Sequence, residues 1–163
     1  MKIRDDIKPP EIFVVLMHAR QCDIAKFAAL TGFHDREQIA QAVTPRFGIG
    51  MMGFCTDDGD LVAVGGATQD RANVVRTGFV ATDRWEEIAA PLSRWVKRHY
   101  FPALRAAGVH RIETITTLDH PDTERWLRWL GLEPEQIKPG YGATGAAFVE
   151  YAWVSDAFAA RAC

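Results

Sequence analysis

Along the chain, short apolar runs alternate with stretches of helical period, the pattern of a mixed α and β domain. Pro9 and Pro10 close an irregular N-terminal arm. The run from Ile12 through Val14 and Val15 to Met17 then predicts a strand, because it is rich in β-branched residues. A helix is expected over 19–30, with Ile24, Phe27, Ala28 and Leu30 as its apolar positions and Thr31 and Gly32 as its stop. A second helix is expected over 35–43, ended by Thr44 and Pro45. Two apolar runs, 49–55 and 61–67, flank Asp58 and Gly59 and read as a hairpin. A further strand over 73–81 leads into a long helix opened by Asp83 and Glu86 at capping-box spacing, which Pro91 and Pro102 should kink or interrupt. Beyond Gly108, a strand over 109–117 precedes a short helix whose start contains Asp119, His120 and Pro121 and whose stop is Gly131. A glycine-rich turn over 139–145 and a strand over 147–154 close the pattern, and 155–163 adds a turn of helix.

Composition narrows the class. With 163 residues, 48% hydrophobic and 25% charged, the chain predicts one globular domain, 1–163, with a core at about 11–154, an arm over 1–10 and a tail over 155–163. A chain of this size buries roughly two-thirds of its unfolded surface and needs neither metal nor disulfides to make a core. The formal net charge of −2 argues against sequence-blind nucleic-acid binding, which requires many uncompensated basic residues. No segment approaches the roughly 18 apolar residues of a membrane span. Met1 to Asp6 lacks an apolar core for a secretory signal, so a cytoplasmic origin is expected. Cys22, Cys55 and Cys163 form no CxxC pair, which fits a reducing compartment.

The element order, with Gly78 to Ala81 ending a strand, the long helix, Gly108 to Ile112, and Trp126 to Leu132, resembles the GNAT superfamily of N-acetyltransferases over nearly the whole chain. That resemblance implies a GNAT-like acyl-CoA N-acyltransferase fold of the α/β class: a central, mostly antiparallel mixed sheet flanked by about four helices. The closing segment, Gly140 to Tyr151, is similar to the ending of small GNAT-like proteins of tailed phages, some of them internal or structural virion components.

Fold does not settle chemistry. The superfamily grips the pyrophosphate of acetyl-CoA with Arg or Gln, then Gly, then Gly or Ala, around a helix N-terminus whose N–H groups and dipole favour anions. The matching residues here are Arg84, Glu87 and Ala89, and 83–89 contains no glycine. Glu86 and Glu87 at a helix start suit the dipole, by a few tenths to about 1 kcal/mol each, but repel a phosphate brought to the same N–H groups. The resemblance also implies that the backbone of Phe79, Val80 and Ala81 pairs with the pantetheine arm. The family's general-acid Tyr falls at Leu127 here, so that group is missing. For a general base, Glu113 and His120 are the candidates. Their bland readings are an outward-facing strand residue and a capping or solvent-facing imidazole.

Other residues carry less. His18, His34, His99 and His110 lack metal-ligand spacing, so no metal is expected. Cys22 reads as a small buried hydrophobe rather than a nucleophile. Gly48, Gly50 and Gly53, and the Gly65 and Gly66 pair, read as strand bulges and hairpin ends, because no Lys-Ser/Thr helix start follows them. Of Trp126 and Trp129, three apart, one should pack inward and the other face outward with Arg125 and Arg128. Trp and Arg are enriched at interface hot spots, so Trp126, Trp129 and Tyr141 are the partner-binding candidates. Arg94, Lys97, Arg98 and Arg105 read as a solvated helix face.

Two functions remain. The first is a non-catalytic structural or internal virion protein, made in a bacterial host cytoplasm, binding no cofactor and contacting other virion proteins or itself. The alternative is an acetyl-CoA-dependent N-acetyltransferase acting on an amine.

Overall fold

The computed structural model describes residues 1–47, 50–118 and 120–159; the expected roles of Gly48, Ile49, Asp119, Cys163 and the last four tail positions lie outside them. The chain begins with a strand, β1 (Lys2–Arg4), where an irregular arm was expected. It pairs antiparallel with β2 (Met51–Cys55), Ile3 opposite Phe54.

The largest correction follows at once: 12–17 belongs to a helix, α1 (Pro9–Met17). Both prolines sit in its first turn, where their missing N–H groups cost nothing. The Glu11 carboxylate accepts from the Lys8 backbone N–H at 2.9 Å and caps the start. Ile12, Val15 and Leu16 are buried, a spacing of three and four that overrides β-branched composition. Helix α2 (Gln21–Thr31) ends at Gly32 with φ 79°, a left-handed stop. Helix α3 (Arg36–Val43) is capped by Asp35, which accepts from the Gln38 N–H at 3.0 Å.

Strands β2 and β3 (Leu61–Arg71) form the expected hairpin, and β3 continues into β4 (Val74–Ala81). Gly65 and Gly66 sit in regular pairing rather than at a bulge. Their reason is close approach, since a Cβ on Gly66 would lie 2.3 Å from the Gly50 carbonyl oxygen.

The long helix is continuous. Helix α4 (Glu86–Trp95) passes through Pro91, a π-type segment spans Val96–Tyr100, and α5 (Phe101–Ala106) follows. Pro102 has no N–H and its ring crowds the carbonyl four residues back, so the wider turn falls just before it. Strand β5 (Arg111–Thr117), helix α6 (Pro121–Leu130), strand β7 (Phe148–Val154) and a short α7 (Asp156–Ala159) complete the expected elements. An unexpected strand, β6 (Glu133–Lys138), lies at the sheet edge against β7.

The seven strands run in the order β1-β2-β3-β4-β5-β7-β6, antiparallel except for β4 beside β5. Helices α1 to α3 cover one face, around Ile12, Leu16, Ile39 and Val64. Helices α4 to α6 cover the other, around Ile88, Leu92, Ile112 and Leu127.

Candidate active site

The one parallel pairing is also the shortest contact in the sheet's centre. Strands β4 and β5 are in register at Val74 with Arg111, Val75 with Ile112 and Arg76 with Glu113, and no further. There the Thr77 hydroxyl donates to the Glu113 carbonyl at 3.3 Å and the Thr114 hydroxyl to the Thr77 carbonyl at 3.2 Å. Each strand stays paired on its outer side, β4 to Ala81 and β5 to Thr117, so the sheet parts between them. A cavity of about 400 Å³ occupies the opening. Phe79, Thr116, His120 and Trp126 line it, with Asp23 and Lys26 reaching in from α2.

Alternation decides which backbone groups face this cavity. The Thr82 N–H donates to the Val62 carbonyl at 2.9 Å, so Val80, two residues earlier, also turns its backbone toward β3. Phe79 and Ala81 therefore face the opening, whereas Val80 does not, contrary to the expectation for that residue. Ala81 is satisfied on both sides: its N–H donates to Asp23 Oδ2 at 3.1 Å and its carbonyl accepts from the Arg20 N–H at 2.9 Å. The Phe79 carbonyl accepts from Lys26 Nζ at 3.2 Å. Asp23 is only 5% exposed. Arg20 Nη2 at 2.8 Å and Lys26 at 3.3 Å stand against its carboxylate, as a buried charge requires. Sequence reasoning missed this group; its signal was three charged residues, Arg20, Asp23 and Lys26, three apart along an otherwise apolar helix.

Aromatic rings wall the side under α4 and α6. Phe79 lies 5.1 Å from Trp85 and 5.6 Å from Trp126, and the two indoles are 6.0 Å apart. The Trp126 indole N–H donates to Ser93 Oγ at 2.9 Å, linking α6 to α4. Trp126 thus packs inward. Trp129 faces out at 44% exposure, under the Lys97 ammonium at 4.3 Å. Tyr141 is exposed and packs against Phe148 at 5.5 Å.

At the start of α4, Arg84 is engaged. Its Nε and Nη2 donate to Glu87 at 2.6 and 2.9 Å, and its Nη1 donates to Asp60 at 2.7 Å. The guanidinium holds the Glu87 carboxyl below the usual carboxylate range. Ala89 lines the cavity one turn further on.

Glu113, the expected base, lies outside the cavity lining and is not an outward-facing residue: it is 2% exposed. Arg76 at 2.8 Å and Arg111 at 2.7 Å hold its oxygens. Burial pushes this carboxyl up, and the two arginines outweigh it, leaving it below its ordinary value. His120 stands at the N-cap position of α6 without a side-chain cap hydrogen bond and lines the cavity, and half-buried Cys22 lines it too. Leu127, where the resemblance implies a tyrosine, has a buried side chain. Arg105, assigned to a solvated face, instead lies over the Trp153 ring at 4.1 Å, and burial lowers its pKa. Among the described residues no group of three metal-ligating side chains converges.

No family model and no curated sequence matches the chain. Solved structures do. A GNAT-family acetyltransferase from Bacillus anthracis is 12% identical with a TM-score of 0.67, covering 93% of each chain. Ard1 from Thermoplasma volcanium is 14% identical with a TM-score of 0.68, over 94% of this chain and 96% of that one. A GNAT-superfamily phosphinothricin acetyltransferase from Sinorhizobium meliloti, in complex with AcCoA, is 12% identical with a TM-score of 0.60, over 94% and 87%. At these identities the likeness establishes the fold, that of the GNAT acetyltransferases.

Proposed function

We propose that this chain, built on the GNAT acetyltransferase fold, is an acetyl-CoA-dependent N-acetyltransferase that uses the opening between β4 and β5 as its reaction cleft. The observation that carries this reading is the parting of the two strands after Arg76 and Glu113 over a cavity lined from both faces of the sheet. The thioester arm fits the aromatic wall of Phe79, Trp85 and Trp126, because the Phe79 carbonyl and both backbone groups of Ala81 are already paired with α2 and its N-cap. The diphosphate fits poorly, because Glu86 and Glu87 occupy the start of α4 and Arg84 is already paired. The donor is therefore held mainly by its arm.

In the reaction, the acceptor nitrogen bonds to the thioester carbonyl carbon, the carbon–sulfur bond breaks, and the proton lost by the amine balances the one gained by the thiolate. His120, the imidazole at the cavity wall, is the group assigned to take the proton from the acceptor amine. Incubation with acetyl-CoA and a panel of primary amines, read by thiol release and product mass, tests this. Acetylated product supports the reading; no product from any amine, together with no cofactor binding, overturns it.

Two observations favour a second reading, a non-catalytic domain acting through protein contacts, as the phage-like ending suggests. Arg84 is closed by Glu87 and Asp60, and the Trp126–Ser93 bond spans the groove between α4 and α6. Exposed Trp129 and Tyr141 would then carry the docking face.

A further inference from the structure

We infer that the acceptor amine carries a carboxylate, seated in a second cavity beside the opening by Arg46, Arg76 and Lys26. This deepens the acetyltransferase reading and rests on it for the word acceptor. The cavity, about 190 Å³, lies on the side of α2 and α3 and shares Lys26, Phe79, Thr114 and Ile115 with the reaction cleft. A molecule with one end in each would present its amine to the opening.

The charge of the lining is one-sided. Three cations, Lys26, Arg46 and Arg76, line it, and no carboxylate does. The acids that pair with or act on these cations each have a basic partner: Asp23 has Arg20 and Lys26, Glu113 has Arg76 and Arg111, and Asp70 has Arg71. Arg46 forms no ion pair among the described residues, and it stands at the end of the 3-10 turn Thr44–Arg46 that fixes it beside the cavity.

Arg76 adds the second observation. Its Nη2 binds Glu113, but its Nε is buried and finds no hydrogen-bond partner among the described residues. An N–H without an acceptor is costly, and the Arg76 side chain, 39% exposed and lining the cavity, can turn its guanidinium toward an anion seated there. Phe27, Phe47 and Phe79 supply the apolar wall against which the carbon skeleton of such an acceptor packs. A neutral or cationic head would leave these donors unpaired or repelled, so the same residues select against polyamine-like acceptors.

Two measurements decide this. The first needs no acyl donor: titration of the ¹⁵N-labelled protein with succinate and, separately, with its neutral diamide. Succinate is expected to shift the Thr77, Gly78 and Phe79 amides, the diamide is not, and Arg46→Ala, an exposed position, should abolish the shifts. Absence of succinate binding, or binding that Arg46→Ala leaves unchanged, overturns the inference. The second is kinetic: kcat/KM for an amino-acid acceptor against its carboxamide is expected to favour the acid about tenfold. Arg46→Glu should reverse that order, while Arg76→Lys, which keeps Glu113 paired, should weaken it. Equal use of acid and amide by the parent protein overturns the inference. If no amine is acetylated and acetyl-CoA does not bind while succinate still binds through Arg46, the anion subsite stands and the acetyltransferase reading falls.

Discussion

The Asp23 carboxylate accepts a hydrogen bond from the Ala81 backbone N–H at 3.1 Å, joining helix α2 to the free side of β4 where the sheet parts. An edge without a neighbouring strand leaves backbone donors and acceptors unpaired. Here a side chain takes the strand's place for one residue, and Arg20 supplies the answering N–H. Asp23→Ala removes the acceptor and leaves two cations without their buried partner. A loss of about 3 kcal/mol is expected, read as a lower urea midpoint; a loss within experimental error would show that water replaces the carboxylate.

Glu113 sets an acid limb on stability. Its folded pKa is below its ordinary value, since the arginine hydrogen bonds exceed the effect of burial. A depressed carboxyl contributes stability that is fully present above the ordinary carboxylate range and is lost as pH falls through the folded value. The parent protein should therefore lose stability on acidification, and Glu113→Gln, less stable at neutral pH, should show a shallower decline. Parallel curves in pH-dependent urea denaturation would contradict this.

Freeing Arg84 should improve the grip on the donor's phosphates. Glu87→Gly removes a carboxylate from the helix start and one of the two acids that hold Arg84. Binding of acetyl-CoA is expected to tighten about tenfold. The helix should lose about 1 kcal/mol from the glycine and the missing acid. Calorimetry measures the first and thermal unfolding the second, and unchanged affinity would remove Arg84 from the site.

Gly66 has no room for a side chain. Its added Cβ would meet the Gly50 carbonyl oxygen at 2.3 Å, and backbone cannot yield as a flexible side chain does. Gly66→Ala should cost about 3 kcal/mol through forced separation of β2 and β3, seen as a lower thermal midpoint. An unchanged midpoint would mean that this end of the hairpin relaxes freely.

What could be read in advance followed the range of the forces involved. Gly32 and Gly131 as helix stops and the Asp58-Gly59 hairpin are local, and each stands where the pattern put it. Helix α1 is masked by its β-branched content, and only the three-and-four spacing of Ile12, Val15 and Leu16 and the prolines at its start mark it as a helix. Strand β6 was invisible because an edge strand needs no apolar alternation: Glu133, Pro134 and Glu135 open it, and its pairing partner lies beyond the glycine-rich turn.

In the site, the same division holds. The acids beside Arg84 and the missing tyrosine at Leu127 were legible because a motif has fixed spacing. That one of Trp126 and Trp129 turns inward and the other outward also followed from a three-residue step on a helix, whereas which of them does so is set by the Ser93 hydroxyl on α4. The burial of Glu113 under two arginines, and the pairing of Asp23 with Ala81, depend on strands and helices far apart in sequence meeting in space, which no local pattern encodes.

The central claim is that the opening between β4 and β5 receives an acyl thioester, and an amide-resolved titration with acetyl-CoA tests it most directly. The account predicts shifts concentrated at the Phe79, Ala81 and Thr114 amides and at the Trp126 indole N–H. No shift at millimolar acetyl-CoA, or shifts confined to residues away from the opening, would contradict it.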